Sequence, residues 1–562
     1  MKKLFVYRVA KNDWYSVVKI YFYKLVGYKV FVWGIHNFPI INYKHIIFPP
    51  ANKSVEYEPI ARKKMANYFE LFFDNWSKDI YRRDYIVKTL DMSILDYYTF
   101  EKTILNFVNQ GDQVKMLTPS LFFAINRGAK PARDFSTVLG YPILIIRLTI
   151  RFLKDLYLSL AFKSKIPIPN IIYYRKKIYP DLGECSCLCE KINTKESKFI
   201  LGVYPVTSRG EKKFGFYFLN SFKGMPEILI KSYFLTLRQS FSDLAFLFKN
   251  GVNKQIFKKY LMDTYVANIF SRMSPLVICG VLVDKPLYIL FYKYKNINTK
   301  MVSLNESFFF QPNRSFDYNY LDRYYSMNKI DEKMQNIHGG DIKSFKQVEF
   351  FRNVVERNNG LSDELSSELK KYKYCILLLP AQVYVEKTGF YYWAYDELES
   401  FLKSTLNLAS SMTDTLFIVK GKKGELRLLP KWFHELNQIR QNIFVINCEK
   451  PRELESNRFE DLIGVIDLTI SMALTSTTIW QSIARNKPVI AINRTKYPSI
   501  LANYKGYESS LSEVHNNIIY WRSLSKSETF ESIKLMKKDF NIGQSDGLSQ
   551  VALDLKKLLI DG

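Results

Sequence analysis

One stretch constrains this chain more than any other: Asp461 to Asn493, which reads as strand, hydroxyl-rich turn, helix and strand. Asp467 to Ser471 is a short β-type run, and Leu474 to Thr478 places Ser and Thr where a helix should begin. Ile479 to Arg485 has helical character, Asn486-Lys487-Pro488 turns the chain, and Val489 to Ile492 is a second buried strand. Two apolar strands joined by a helix predict a parallel βαβ unit, with the turn at the carboxyl end of its first strand. Side-chain hydroxyls and helix N-terminal N–H groups converge at such a turn. A phosphate is its natural ligand. The plain alternative is an N-cap cluster on a structural helix.

The pattern of an Asp, a short strand, Ser/Thr-Thr, a helix and then Lys487-Pro488-Val489-Ile490 resembles the donor-side domain of GT-B glycosyltransferases, especially those that build bacterial capsule and lipopolysaccharide. The resemblance is moderately specific over about 35 residues and weaker over the remaining C-terminal third. It implies that Ser476, Thr477 and Thr478 hold the phosphate of a nucleotide sugar. The chain departs from the pattern at Gln481, where many members have Glu, and at Arg485-Asn486, where x-Gly is common.

With 562 residues the chain is too long for one core, so two or three domains are expected. At 47% hydrophobic and 24% charged residues it is globular, which excludes a disordered polypeptide. A net charge of +27 favours anionic partners, although AT-rich codon usage would also enrich Lys alongside the 39 Tyr and 42 Phe. The first residues lack the apolar core and cleavage site of a secretory signal. No apolar run reaches the roughly 18 residues of a membrane span. Six cysteines do not make a disulfide framework in so long a chain. Cys185, Cys187 and Cys189 alternate along an apparent strand, a spacing unlike zinc sites, which more often use C-x-x-C pairs. A reducing cytoplasm is the expected compartment.

The expected fold class is α/β: two Rossmann-like domains facing a cleft, with a helical insertion in the first. Residues 1–343 would form the acceptor-side domain, opening with the strand Lys3 to Arg8, the helix Trp14 to Leu25 and the strand Lys29 to Gly34. Its insertion would span about 60–165, with breaks at Gly111, Gly128 to Pro131 and Gly140 to Pro142. Residues 344–372, charged and helical in character, would connect the domains. The donor domain would occupy 373–562, its strands at Cys375 to Leu379, Thr415 to Val419, Ile443 to Asn447, Leu468 to Ser471 and Val489 to Ile492.

Lys420, Gly421, Lys422 and Lys423 follow a strand directly, and a basic loop there suits phosphate binding. Lys420 matches the Lys of the Lys-Pro-His-Pro run found in the related enzymes, but the His-Pro part is absent. Gln382, after the first donor-domain strand, and Arg494, after Val489 to Ile492, would form lips of the same pocket, with Gln481 beside the turn. The resemblance places the catalytic acid in the first domain. Glu306 ranks first because it follows the strand Met301 to Leu304, and Asp13 second because it follows the first strand. Asp317 and Asp322 read as acids on a helix surface. Gly339 and Gly340, between His338 and Asp341, permit close approach of a ligand or a hinge turn. No metal motif is evident, and the resemblance implies metal-independent transfer without a cofactor.

Arg147, Arg151 and Lys154 share one face of a helix over Ile143 to Ala161, with Leu, Ile and Phe elsewhere, a pattern suited to an anionic membrane surface. The alternative is a buried helix with one wet stripe. Together these features predict transfer of a sugar from a nucleotide donor to an oligosaccharide or lipid-linked glycan acceptor at the inner membrane face. The hydroxyl turn and basic loop are similar to those of enzymes using CMP-activated 2-keto acids such as Kdo. Competing readings are a nucleotide-sugar epimerase, a non-catalytic GT-B scaffold and a nucleic-acid-binding protein. The last has only charge in its favour, since no recognition motif is present.

Overall fold

The computed structural model describes residues 1–6, 14–33, 46–47, 79–117, 135–161, 168–174, 199–204, 217–218, 224–250, 254–280, 286–304, 318–336, 339–349, 360–380, 395–421, 442–446, 459–472, 477–493, 499–543 and 547–560. Scattered positions between 57 and 68, together with Leu188, 190–193, Phe222 and Asn457, complete the set. Among them the strands form three larger parallel sheets and one two-stranded pair.

The first sheet contains β1 (Lys2–Val6), β2 (Lys29–Trp33), β3 (Ile46–Ile47) and β4 (Gln113–Leu117), in the order β3-β2-β1-β4. Helix α1 (Trp14–Leu25) links β1 to β2. This sheet stands apart from the one that follows, so the first strands of the chain do not open the larger N-terminal sheet. The expected helical insertion also contains a strand: β4 pairs with β1 along its whole length, and the buried Lys3 binds Asp112 at 2.6 Å beside it. Helix α2 (Ile80–Ile104) joins two units. Its first half packs Tyr85, Ile86 and Leu90 into the central core, and its second half lays Tyr97, Phe100 and Ile104 on Phe5 and Phe31. Helix α3 (Phe135–Ala161) runs through Pro142, where a break was expected.

The second sheet has seven strands: β5 (Ile171–Tyr174), β6 (Leu201–Tyr204), β7 (Tyr217–Phe218), β8 (Val277–Gly280), β9 (Lys300–Leu304), β11 (Arg323–Ser326) and β13 (Phe345–Gln347). A side pair joins β10 (Asn319–Leu321) to β12 (Gly340–Ile342). The edge strand β13 lies inside the stretch expected to be a helical connection. Across the sheet the order is β13-β11-β9-β8-β5-β6-β7. Both faces are covered, as a parallel sheet requires. Ile172, Tyr174, Ile278 and Met301 face α4 (Pro226–Asn250), α5 (Lys254–Met273) and α6 (Leu287–Tyr294). Their neighbours Ile171, Tyr173, Val277 and Val302 meet the last helix of the chain.

The third sheet contains β14 (Tyr374–Leu379), β15 (Thr415–Lys420), β16 (Ile443–Ile446), β17 (Leu468–Ser471), β18 (Val489–Ile492) and β19 (Glu508–Ser509). Its order is β16-β15-β14-β17-β18-β19. Helices α7 (Tyr395–Ser411), α8 (Thr477–Ala484) and α9 (Lys526–Asp539) belong to this unit. Helix α10 (Gly547–Ile560) leaves it and buries Leu548, Val551 and Leu555 on the seven-stranded sheet. Counted in its own chain order, the third sheet reads 3-2-1-4-5-6, the doubly wound Rossmann arrangement, and the second reads the same with a seventh strand added at its edge. The fold is α/β with Rossmann-like parallel sheets.

Candidate functional site

A doubly wound sheet binds ligands where its strand order reverses, outside the carboxyl ends of the two central strands. In the third sheet these strands are β14 and β17. They pair in register from Ile376↔Leu468 to Leu379↔Ser471, buried throughout apart from the half-buried Leu379. At the foot, Asp467 accepts the Cys375 N–H at 2.8 Å and returns its own N–H to the Cys375 carbonyl. The Asp that opens the sequence pattern therefore clamps the strands, at the end away from the crevice. At the top, the Met472 N–H reaches the Leu379 carbonyl at 3.1 Å.

The hydroxyl turn follows directly. Helix α8 begins at Thr477 and is fixed from behind: Ile479, Trp480 and Ile483 are fully buried, and the Trp480 ring lies 4.9 Å from that of Phe540. Ser482 Oγ, itself buried, bonds the Thr478 carbonyl at 2.9 Å and lies 3.0 Å from Thr469 Oγ1 on β17. The first N–H groups of a helix have no partner within it, so α8 offers donors and the positive end of its dipole at the switch point. Thr478 is half-buried in that first turn, and Gln481 is half-buried one turn on.

The far end of α8 accounts for one departure from the family pattern. Asn486 takes a left-handed conformation, φ 57°, which Gly adopts freely and Asn tolerates better than most residues. Lys537 closes this end by donating to the Ala484 carbonyl at 2.8 Å and to Asn486 Oδ1 at 2.7 Å. Asn486→Ala is expected to lower stability by about 1–2 kcal/mol in chemical denaturation, and Asn486→Gly by less, since Gly restores the backbone and loses only the side-chain bond. Equal losses would sink this account.

Lys420 ends β15, the strand on the other side of β14. Leu378 pairs with Val419 and Leu379 with Ser471, so Lys420 and Ser471 stand level, two strand spacings or about 10 Å apart. The structure thus sets Lys420 level with the end of β17, the strand that precedes α8. Ser476, Lys422, Gln382, Arg494, Glu306 and Asp13 lie outside the described residues, as does the Thr477 side chain. Chain order still restricts two of them. Asp13 follows a strand of the separate four-stranded sheet, whereas Glu306 follows β9 of the seven-stranded one.

Sequence reasoning named the segment after β18 as a lip but missed the strand that braces it. The buried Asn493 donates to Glu508 Oε1 at 2.8 Å, and Glu508 Oε2 accepts the Ser499 N–H at 3.0 Å. The strand responsible, β19, is two residues long and carries no periodicity to read.

Asp322 lies between β10 and β11 instead of on a helix. It accepts the Met301 N–H at 2.9 Å and pairs with Lys295 and Lys343, at the start of β9 and away from the carboxyl edge. Asp317 and His338 lie outside the described residues. Gly339 and Gly340, at φ 142° and 114°, are needed by the backbone: a Cβ on Gly340 would stand 2.6 Å from the Asn319 N. Cys279 and Cys375 are buried, and burial first of all pushes both thiols up to about 12, which leaves them unreactive. Cys185, Cys187 and Cys189 lie outside the described residues, but Leu188 and residues 190–192 are helical where a strand was expected. Among the described residues, no group of three His, Cys, Asp or Glu could hold a metal, and no helix is long and apolar enough to cross a membrane.

No family model matches this chain, and no curated protein matches its sequence. Solved structures show a distant likeness. S. aureus MnaA with UDP is 10% identical, with 70% of this chain and 96% of that one covered, at a TM-score of 0.41. An E. coli trehalose-6-phosphate structure bound with UDP-2-fluoro glucose is 10% identical over 69% and 98%, at 0.43. Anabaena Alr3699/HepE with UDP and glucose is 10% identical over 69% and 99%, at 0.38.

Proposed function

We propose that this chain is a glycosyltransferase that moves a sugar from a nucleotide-activated donor onto a growing bacterial surface polysaccharide. The observation that carries the reading is that Lys420 ends β15 level with Ser471, the end of the strand that leads into α8, on either side of β14 at the switch point. Backbone N–H groups and the hydroxyls of Ser476, Thr477 and Thr478 are suited to the donor phosphate. Lys420 and Lys422 supply the neutralising charge, and Gln382, Gln481 and Arg494 form the lip. Helix dipole and ammonium charge together stabilise the nucleotide as it leaves, so the transfer asks for no metal at the phosphate. Glu306, or Asp13 in its place, is the proposed acid–base residue toward the acceptor hydroxyl. At finer grain the proposed donor is a CMP-linked 2-keto acid such as Kdo. The acceptor is an oligosaccharide or lipid-linked glycan, reached at an anionic membrane surface through Arg147, Arg151 and Lys154.

The test is thermal unfolding of the full chain with CMP, UMP, UDP, GDP or ADP. A nucleotide at about 100 times its dissociation constant adds about 2.7 kcal/mol. The expected result is a shift with one nucleotide, lost in Lys420→Ala and in Thr477→Ala while their unliganded melts hold. A shift with CMP selects the 2-keto acid donor, and one with UDP or GDP selects a hexosyl donor. No shift with any of the five overturns the reading.

A further inference from the structure

Helix α3 turns an apolar stripe outward. Leu144, Leu148, Phe152 and Ser159 are buried against the helical layer. Ile143, Ile146, Ile150, Leu153, Tyr157 and Leu160 are all exposed, between 40% and 70%. Their spacing alternates three and four residues, so they form one continuous stripe. The expectation that the apolar residues of this helix lie away from the basic ones is therefore only half met: one apolar face is buried, and a second lies outside beside the bases.

The neighbouring helix extends this surface. Phe152 stacks on Tyr233 of α4 at 4.2 Å, and Thr149 Oγ1 lies 2.8 Å from the Tyr233 hydroxyl. At about 100° per residue, Thr149 borders the Ile146–Leu153–Leu160 side of the α3 stripe. Arg147, Arg151 and Lys154 occupy its opposite border. On α4 the outward Ile230, Phe234 and Phe241 lie on the Tyr233 side, and Lys231 and Arg238 lie beyond them. The two apolar stripes thus meet between the helices, with basic residues along both outer margins. Isolated exposed Leu or Phe needs no explanation, but a contiguous apolar field with a charged rim does.

The charge pattern selects the occupant. Among the described outward side chains of the two helices, Glu227 is the acid, and it is held by Lys231. Asp155 of α3 is buried and paired with Arg151 at 3.0 Å. A second copy docking here would set bases against bases without acids to meet them. We infer that the α3–α4 face inserts its apolar centre into a bilayer while its basic margins bind anionic lipid headgroups. This deepens the membrane contact proposed above and rests on that reading; it adds that the grip is apolar insertion as well as charge.

Flotation of the full chain with phosphatidylcholine vesicles, with and without phosphatidylglycerol, tests it. Two triple variants are compared: Ile150→Ser with Leu153→Ser and Phe234→Ser, and Arg147→Gln with Lys154→Gln and Arg238→Gln. Arg151 is left alone because it neutralises the buried Asp155. All six positions are exposed, and an unchanged melt verifies folding. The wild type is expected to float with the anionic vesicles. The charge variant should lose about fivefold in partitioning per base, and the apolar variant about tenfold per side chain. If the charge variant loses binding and the apolar variant does not, insertion is wrong while the basic contact stands. If the wild type floats with neither vesicle, both fail. A dimer in sedimentation velocity that only the apolar variant dissolves, without flotation, assigns the face to a second copy and overturns the inference.

Discussion

Trp480→Ala is expected to destabilise the protein by about 3–5 kcal/mol, the cost of removing a fully buried large aromatic side chain. The ring packs between α8 and Phe540, the residue that follows α9. Ile479 and Ile483 remain, so the helix should form but lose its fixed tilt. Its first turn sits at the switch point, and hydrogen-bond donors displaced by about 1 Å lose much of their effect on a bound anion. Nucleotide stabilisation should therefore fall as well, by more than in an equally destabilising variant remote from α8. Urea unfolding and nucleotide titration below the melting range measure the two effects. A loss under about 1 kcal/mol would mean that the pocket collapses around the vacancy, and retained nucleotide affinity would mean that the orientation of α8 does not matter to the ligand.

Asp554→Ala should release α10 from the seven-stranded sheet. The carboxylate is 4% exposed and accepts from Arg323 at 2.5 Å, from the Tyr325 hydroxyl at 2.9 Å and from Lys346. Burial pushes this carboxyl up, but the bonds from Lys346, Arg323 and Tyr325 together pull it further down, and the net shift is below the ordinary aspartate range. Removal leaves two cations facing each other. Because Arg323 and Lys346 are 28% and 42% exposed, water recovers part of the loss, and about 2–3 kcal/mol is expected in place of the larger figure for a dry pair. A carboxyl whose folded-state pKa is depressed stabilises the fold above its unfolded value, about 3.9, and loses that contribution as pH falls through the folded value. The wild type should therefore lose stability in acid faster than the variant, with the two curves converging below about pH 4. Parallel pH profiles would show that Asp554 holds nothing. Proteolysis should cut the variant first near residues 543–547, where α10 leaves the third sheet.

The strands that frame the candidate site were legible from sequence because they rest on local chemistry. The short apolar runs at 375–379, 415–419, 468–471 and 489–492 are strands within a residue of the expected limits. A strand buried on both faces is short and mostly apolar, and such a run is visible without a partner. Lys420 and the start of α8 were named on the same grounds, one by its place after a strand and the other by hydroxyls before a helix. What failed were readings that needed a partner. The strand Gln113 to Leu117 lies among helices and carries Lys and Gln; only pairing with β1 makes it a strand. The run Phe345 to Gln347 reads as part of a charged linker and becomes an edge strand by pairing with β11.

The sequence by itself determined the α/β class, the βαβ unit and the basic residue at the end of β15, because periodicity, capping chemistry and turn residues act over a few neighbours. Tertiary structure alone decided three other things. The first strands form a sheet of their own, the last helix closes the seven-stranded sheet through Asp554, and the second apolar stripe of α3 meets that of α4 at the surface. Each joins residues remote in the chain, where the free energy comes from burial and charge pairing between segments that carry no mark of each other.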